Sequence, residues 1–76
     1  MPWVPLPQAS FLRSLRSDFK GEKRWYSHDG KRIYTWDGEH GGEVEVFDKQ
    51  GRHLGVADPI TAQLIKPPVR GRRIDV

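Results

Sequence analysis

Short alternating segments, separated by turn-rich segments, restrict the fold of this chain more than any other feature. After Gly21, apolar residues recur with a period of two in KRWY (23–26), KRIYTW (31–36), GEVEVF (42–47), RHLGVA (52–57) and, as a further candidate, AQLIK (62–66). Turn-forming residues concentrate between these segments, in SHDG, DGEHGG, DKQG and DPIT. Parallel strands would need long crossovers, so the short connections predict antiparallel hairpins.

The residues before these segments predict one short amphipathic helix. Four apolar residues recur there at helical spacing: Phe11, Leu12, Leu15 and Phe19. Ser10 is suited to cap the start of this helix, and Gly21 to end it. The predicted fold class is therefore α+β, mainly β, with an antiparallel sheet and one N-terminal helix.

Prolines mark the two ends of the chain. Pro2, Pro5 and Pro7 prevent regular structure in residues 1–9, which predicts a lead-in or linker before a single domain of residues 10–76. The tail PPVRGRRIDV carries two more prolines and is predicted to be a covering segment or an edge strand.

Strand alternation predicts which side chains share a face of the sheet. We expect one face to pack against the helix and to carry Val44, Val46, Leu54 and Val56. The opposite face then carries Glu43, Glu45 and His53, and we expect it to be open to solvent.

Size and composition exclude several classes of protein. With 76 residues the core must be small, although three Trp, two Tyr and three Phe supply large pieces of buried surface. The chain has no cysteine, which excludes a disulfide framework and a zinc ribbon. No apolar run is long enough to span a membrane, and the N-terminus lacks the features of a signal peptide. We therefore expect no membrane insertion by this domain, and expect that another polypeptide carries it if it leaves a cell.

Charge is distributed unevenly along the chain. Residues 1–24 and 61–76 are basic and residues 25–60 are acidic, within a net charge of +3. Basic segments attract polyanions, so nucleic acid or a phosphorylated surface is the expected partner. The basic side chains of the tail are Lys66, Arg70, Arg72 and Arg73; the alternative is that they form a solvated end without a specific role.

The stretch YTWDGEHGGEVEVF (34–47) collects groups that can transfer protons. A metal site, a purely structural turn and acid–base chemistry on RNA are its three interpretations. RNA cleavage by internal attack needs a base, an acid and a cation near the phosphate. A Glu can serve as the base, His40 as the acid with its ring held by Asp37, and an Arg of the tail as the cation. Tyr34, Trp36 and Phe47 are candidates for base stacking or for core packing.

Four motifs give the chain a resemblance to a known family. KRW (23–25), GKRIYTWDGEHG (30–41), GRHLGVADPITAQLIK (51–66) and RGRRI (70–74) closely resemble the cytotoxic ribonuclease domain of the ribosome-inactivating colicins and cloacin, which is also similar to domains of contact-dependent inhibition toxins and other polymorphic toxins. The resemblance covers residues 23–74 and leaves residues 1–22 unmatched, so linker and partner contact both remain open for them.

The resemblance implies a strongly twisted antiparallel sheet and an endoribonuclease that cleaves small-subunit (16S) rRNA in the decoding site, without metal or cofactor. It implies a domain that is secreted within a larger toxin, acts in the cytoplasm of the target bacterium, and is a monomer or a 1:1 complex with a cognate immunity protein. A non-enzymatic RNA- or ribosome-binding module and a metal-dependent nuclease are the alternatives.

The resemblance also assigns roles to individual residues. It places the catalytic Asp at Asp37 and the catalytic His at His40. This chain has one more glycine after the histidine than the family pattern, and an ungapped match would put Val44 at the catalytic Glu. Placing Gly42 in the loop instead makes Glu45 the base, with Glu43 as second choice. Counting back from Ile74 favours Arg72 as the functional arginine. The RNA-binding candidates are Lys31, Tyr34, His53, Lys66, Arg70 and Arg73.

Overall fold

The structure, a computed structural model, is a single antiparallel sheet and describes residues 2–76. Met1, part of the predicted lead-in, lies outside the described residues. Each strand pairs with its neighbours in sequence, as expected for short hairpin connections. In chain order the strands are β1 (Arg16–Phe19), β2 (Lys23–Tyr26), β3 (Arg32–Asp37), β4 (Glu43–Asp48), β5 (His53–Ala57) and β6 (Leu64–Lys66).

The strand predictions are confirmed, whereas the predicted N-terminal helix is wrong. Only a 3₁₀ turn forms, at Phe11–Ser14, and Ser10 caps it by accepting a hydrogen bond from the Leu12 N–H at 3.2 Å. The residues that follow form β1, in which Phe19 pairs with Lys23 and is 76% exposed. An isolated helix of this length is marginal in water, and pairing with β2 satisfies the same backbone groups. Gly21, at φ +74°, lies between β1 and β2 instead of ending a helix.

One face of the sheet carries the hydrophobic core. Its buried members are Leu12, Trp25, Tyr34, Val44, Val46 and Ala57, and the partly buried Leu6, Phe11, Leu15, Trp36 and Leu54 pack against them. The predicted core positions Val44, Val46 and Leu54 are thus confirmed. The N-terminal residues cover this face in the place of the predicted helix.

A β-bulge makes the prediction for Val56 wrong. Phe47 pairs with His53 and Val46 with Gly55, so Leu54 is an extra residue on β5. Beyond the bulge, Val56 pairs with Glu45 and therefore lies on the face opposite the core, and Ala57 takes the core position. The bulge also places His53 on the same face as Glu45.

The C-terminal tail crosses that opposite face, so the prediction that it is open to solvent is wrong. The His53 N–H donates to the Arg72 carbonyl at 3.1 Å, and the Ile74 N–H to the Gly51 carbonyl at 2.9 Å. Glu45 is consequently only 7% exposed and His53 6%. The prediction that the tail covers the sheet is confirmed.

The proline-rich lead-in packs against the loop between β3 and β4. Residues 2–9 form no strand or helix, as predicted. However, the Val4 N–H donates to the Gly38 carbonyl at 2.9 Å, and the Trp36 Nε1–H donates to the Val4 carbonyl at 2.8 Å. The part of the chain that the structure describes contains no helix with the length and apolar character that a bilayer crossing requires.

Candidate active site

A cleft of about 660 Å³ lies between the β3–β4 loop and the C-terminal tail. It brings together all the residues predicted to be catalytic, including the second choice for the base. The side chains that line it are Trp3, Glu22, Thr35, Trp36, Asp37, Glu39, His40, Glu43, Glu45, Phe47, Arg72, Arg73 and Ile74.

Asp37 and His40 form a pair at the mouth of the cleft. Asp37 ends β3, and His40 follows three residues later, in the loop. The His40 backbone N–H donates to Asp37 Oδ1 at 3.2 Å, and His40 Nδ1 lies 2.9 Å from Asp37 Oδ2. Because an ionised carboxylate can only accept, Nδ1 must carry a proton. The His40 side chain is 76% exposed, so its other nitrogen, Nε2, is available for proton exchange.

Two glycines close the β3–β4 loop, and their position shows where the chain accommodates its additional glycine relative to the family pattern. Gly41 and Gly42 have φ values of +87° and +86°, a conformation that strongly favours glycine. The Gly42 N–H donates to the Asp37 carbonyl at 3.1 Å, and β4 begins at the next residue, which pairs with Asp37. Gly42 is therefore in the loop. With this register Val44 is fully buried in the core, and Glu45 faces the cleft.

Glu45 is held by two donors on one of its oxygens. Arg72 Nη1 lies 2.7 Å and His53 Nε2 lies 2.9 Å from Oε1. Within residues 2–76 every hydrogen bond to this carboxylate reaches Oε1, so Oε2 remains available to accept a proton. Arg72 is half exposed, and the rest of its guanidinium can meet an anion in the cleft.

His53 is fixed in one neutral tautomer beneath Glu45. The Val69 N–H donates to His53 Nδ1 at 2.8 Å, so this nitrogen has no proton, and Nε2 must carry the one that it donates to Glu45. The His53 side chain is fully buried. His53, which is predicted from the sequence to contact RNA, thus lies beneath the predicted base Glu45 and donates a hydrogen bond to it.

Glu43 has a more exposed environment than Glu45. Its carboxylate forms an ion pair with the Lys66 ammonium, which is 58% exposed. The hydrogen bond and the charge of Glu43 raise the pKa of Lys66 above its ordinary value. Lys66, an RNA-binding candidate, is therefore already paired with an acid.

The other RNA-binding candidates are spread over the surface and the interior. Arg73 lines the cleft, and Arg70 is exposed in the tail outside it. Lys31 precedes β3, at the opposite end of that strand from Asp37. Tyr34 is buried on the core face, where its ring meets that of Phe11 edge to face at 5.2 Å. The structure therefore does not bring Lys31 and Tyr34 to the cleft.

Four of the residues that line the cleft were not singled out from the sequence: Trp3, Glu22, Thr35 and Glu39. Trp3 lines the cleft although it belongs to the proline-rich lead-in, and no local motif signals this. Thr35, opposite Glu45 on β3, is buried in the cleft wall, and strand alternation could have found it. Among the described residues there is no group of three or more His, Cys, Asp or Glu side chains that could hold a metal ion.

The cleft has the components of acid–base chemistry on an anionic substrate. Glu45 offers a free carboxylate oxygen, and His40 offers a ring nitrogen whose partner atom is fixed by Asp37. Arg72 and Arg73 supply positive charge on the tail side. One group can accept a proton, another can donate one, and the guanidinium can stabilise negative charge on a phosphate.

Comparison with known proteins identifies relatives of this sequence. A family model described as Cytotoxic matches residues 15–75. Colicin E3 of Escherichia coli is 43% identical over 53 residues, which are 68% of this chain and 9% of colicin E3. Colicin-E6 and cloacin, both of Escherichia coli, are each 42% identical over 52 residues, which are 67% of this chain and 9% of each relative. The match thus spans less than a tenth of the length of these proteins.

Proposed function

This chain belongs to the Cytotoxic family, and on that premise we propose that it is the ribonuclease domain of a bacterial toxin. Its substrate is the small-subunit (16S) rRNA of the ribosome, which it cleaves in the decoding site and so stops translation. The single observation that carries the proposal is that one cleft holds both the Asp37–His40 pair and the Glu45–Arg72 pair.

In the proposed reaction, the RNA supplies its own nucleophile. Glu45 takes the proton of a 2′-hydroxyl on Oε2, and the 2′-oxygen attacks the adjacent phosphorus. The bond from phosphorus to the 5′-oxygen breaks, and the protonated His40 donates its Nε2 proton to that oxygen. The products are a 2′,3′-cyclic phosphate and a 5′-hydroxyl, and no metal or water takes part in this step.

Three residues act on charge and orientation in this scheme. Arg72 stabilises the additional negative charge of the phosphorane, because its fork can contact two phosphate oxygens. Asp37 fixes the His40 ring with Nε2 outward and stabilises the imidazolium before transfer. His53 keeps Glu45 oriented from below the cleft.

We propose further that the domain is delivered within a larger secreted toxin and acts in the cytoplasm of the target bacterium. A cognate immunity protein would inhibit it in the producing cell, as a 1:1 complex. The small share of each relative's length that the chain matches supports the carrier.

Primer extension on rRNA from treated ribosomes tests this function. The wild type should produce one discrete stop in the small-subunit rRNA, and His40→Ala and Glu45→Gln should each reduce its rate of formation by about 10²–10⁴-fold. His28→Ala is the matched control, since His28 is an exposed histidine in the β2–β3 turn. Intact rRNA after exposure to folded wild-type protein would overturn the proposal.

A further inference from the structure

Trp3 is a fixed aromatic side chain at the cleft, although it lies outside the residues matched by the family model. The hydrogen bonds of Val4 to Gly38 and of Trp36 to Val4 attach its backbone to the β3–β4 loop. Trp3 is nevertheless 58% exposed. The lead-in therefore holds a largely exposed indole in the wall of the cleft that His40 also lines.

Gly38 provides the surface on which the indole lies. A Cβ atom at Gly38 would lie 2.5 Å from Cε2 and 2.6 Å from Cδ2 of Trp3. Any larger residue would therefore push the ring away. One side of the indole packs against the loop, and the exposed remainder borders the cleft.

Because many of the side chains that line the cleft are acidic, binding of RNA there would benefit from an interaction that does not involve phosphate. Five carboxylates line the cleft: Glu22, Asp37, Glu39, Glu43 and Glu45. Ion pairs with Arg72 and Lys66 compensate two of them and Arg73 adds one more positive charge, so the acidic side chains oppose part of the attraction that the arginines have for a polyanion. Stacking of a base on an aromatic ring is insensitive to this charge and is a common way to hold unpaired nucleotides.

We propose that the Trp3 indole is the stacking surface for one unpaired base of the RNA, next to the phosphate that is cleaved. The inference rests on the proposed function and adds a substrate-binding residue from the lead-in, outside the residues that the family model matches. Stacking is present before and during the reaction, so its loss raises KM more than it lowers kcat.

The kinetic test compares three substitutions of Trp3 on ribosomes. Trp3→Leu still packs on Gly38 but cannot stack, and Trp3→Ala removes the side chain; both should raise KM by about 5- to 150-fold. Trp3→Phe should stay within about 5-fold of the wild type, because it keeps an aromatic face. Phe19→Ala is the control, since Phe19 is an exposed aromatic outside the cleft, and it should have no effect. Unchanged KM for Trp3→Leu, or faster cleavage by Trp3→Ala, would overturn the proposal.

A binding test separates this inference from the proposed function. The inactive His40→Ala variant is titrated with a short single-stranded RNA of decoding-site sequence, with and without Trp3→Phe, and the difference in tryptophan fluorescence reports on Trp3. Quenching of the Trp3 emission supports stacking even if the wild type proves not to cleave. Binding without quenching overturns stacking even if the wild type cleaves RNA. The exposed Trp3 side chain would then be assigned to contact with a protein partner.

Discussion

Replacing Gly51 with alanine should displace the C-terminal tail and so impair both stability and cleavage. Gly51 has a φ of +87°, and a Cβ atom there would lie 2.2 Å from the Ile74 carbonyl oxygen. That oxygen belongs to the backbone, so the tail must move. Arg72 lies two residues before Ile74 and holds Glu45, which couples this displacement to the candidate active site.

The magnitude follows from two contributions. A side chain at this left-handed backbone conformation costs about 1–2 kcal/mol. Moving the tail also weakens the Ile74–Gly51 and His53–Arg72 hydrogen bonds. Each contributes about 0.5–1.5 kcal/mol, so the free energy of unfolding should fall by about 2–5 kcal/mol in total.

Gly30→Ala is the matched control for this substitution. Gly30 has a φ of +73° in the β2–β3 turn, and a Cβ atom added there would have no neighbouring atom within 4 Å. It therefore incurs only the backbone cost of about 1–2 kcal/mol and leaves the tail in place. The two variants should differ by about 1–3 kcal/mol, the part due to the two tail hydrogen bonds.

Urea unfolding and the rate of rRNA cleavage measure the two effects. In buffer without urea, where it is folded, Gly51→Ala should lose kcat by about 10–100-fold because Arg72 is misplaced. Gly30→Ala should keep the wild-type kcat. Equal stability of the two variants, together with full activity of Gly51→Ala, would refute the conclusion that the tail closes the site.

Three further predictions concern the base, the acid stability and the role of metal. Glu45→Gln should lower kcat by about 10²–10⁴-fold and Glu43→Gln by less than about 10-fold, because only Glu45 is held by both Arg72 and the buried His53, whereas Glu43 pairs with the exposed Lys66. Single-turnover cleavage checks this. Asp48 has a pKa below its ordinary value because the Arg52 N–H, the Arg52 guanidinium and the Gln50 N–H donate hydrogen bonds to its carboxylate. Ionised Asp48 therefore stabilises the fold at a pH above the ordinary carboxyl pKa, and this stabilisation is lost as the pH falls through the lowered pKa. Urea unfolding from about pH 6 to about pH 2 should accordingly show a weaker loss of stability in Asp48→Asn than in the wild type. An excess of EDTA should leave cleavage of a naked rRNA fragment unchanged, whereas a metal-dependent nuclease would be silenced.

Local signals were sufficient for strands β2 to β6 and for the proximity of Asp37 and His40. The turns between strands contain their own Gly and Asp residues, so the hairpins follow from short-range chemistry. Asp37 and His40 are three residues apart in one such turn, and keeping strand alternation with Gly42 in the loop predicts that Glu45 and not Val44 faces the cleft, as the structure has it.

Several features of the fold depend on contacts between distant parts of the sequence, and local sequence patterns do not predict them. The apolar spacing from Phe11 to Phe19 fits a helix, but pairing with β2 converts its second half into β1 and leaves Phe19 exposed. The bulge on β5 reverses the faces of the residues beyond it, which no single-strand pattern indicates. The burial of Glu45 and His53 depends on a tail that returns from a distant part of the sequence, and the position of Trp3 depends on a contact with Gly38.

The chemical ends of the cleaved rRNA test the central claim most directly. Ribosomes are treated with the wild-type chain, and the fragment is analysed by mass spectrometry. We predict one cut in the small-subunit rRNA, with a 2′,3′-cyclic phosphate on one side and a 5′-hydroxyl on the other, and no cut with His40→Ala. A cut that leaves a 3′-hydroxyl and a 5′-phosphate, or undiminished cleavage by His40→Ala, would contradict internal attack driven by Glu45 and His40.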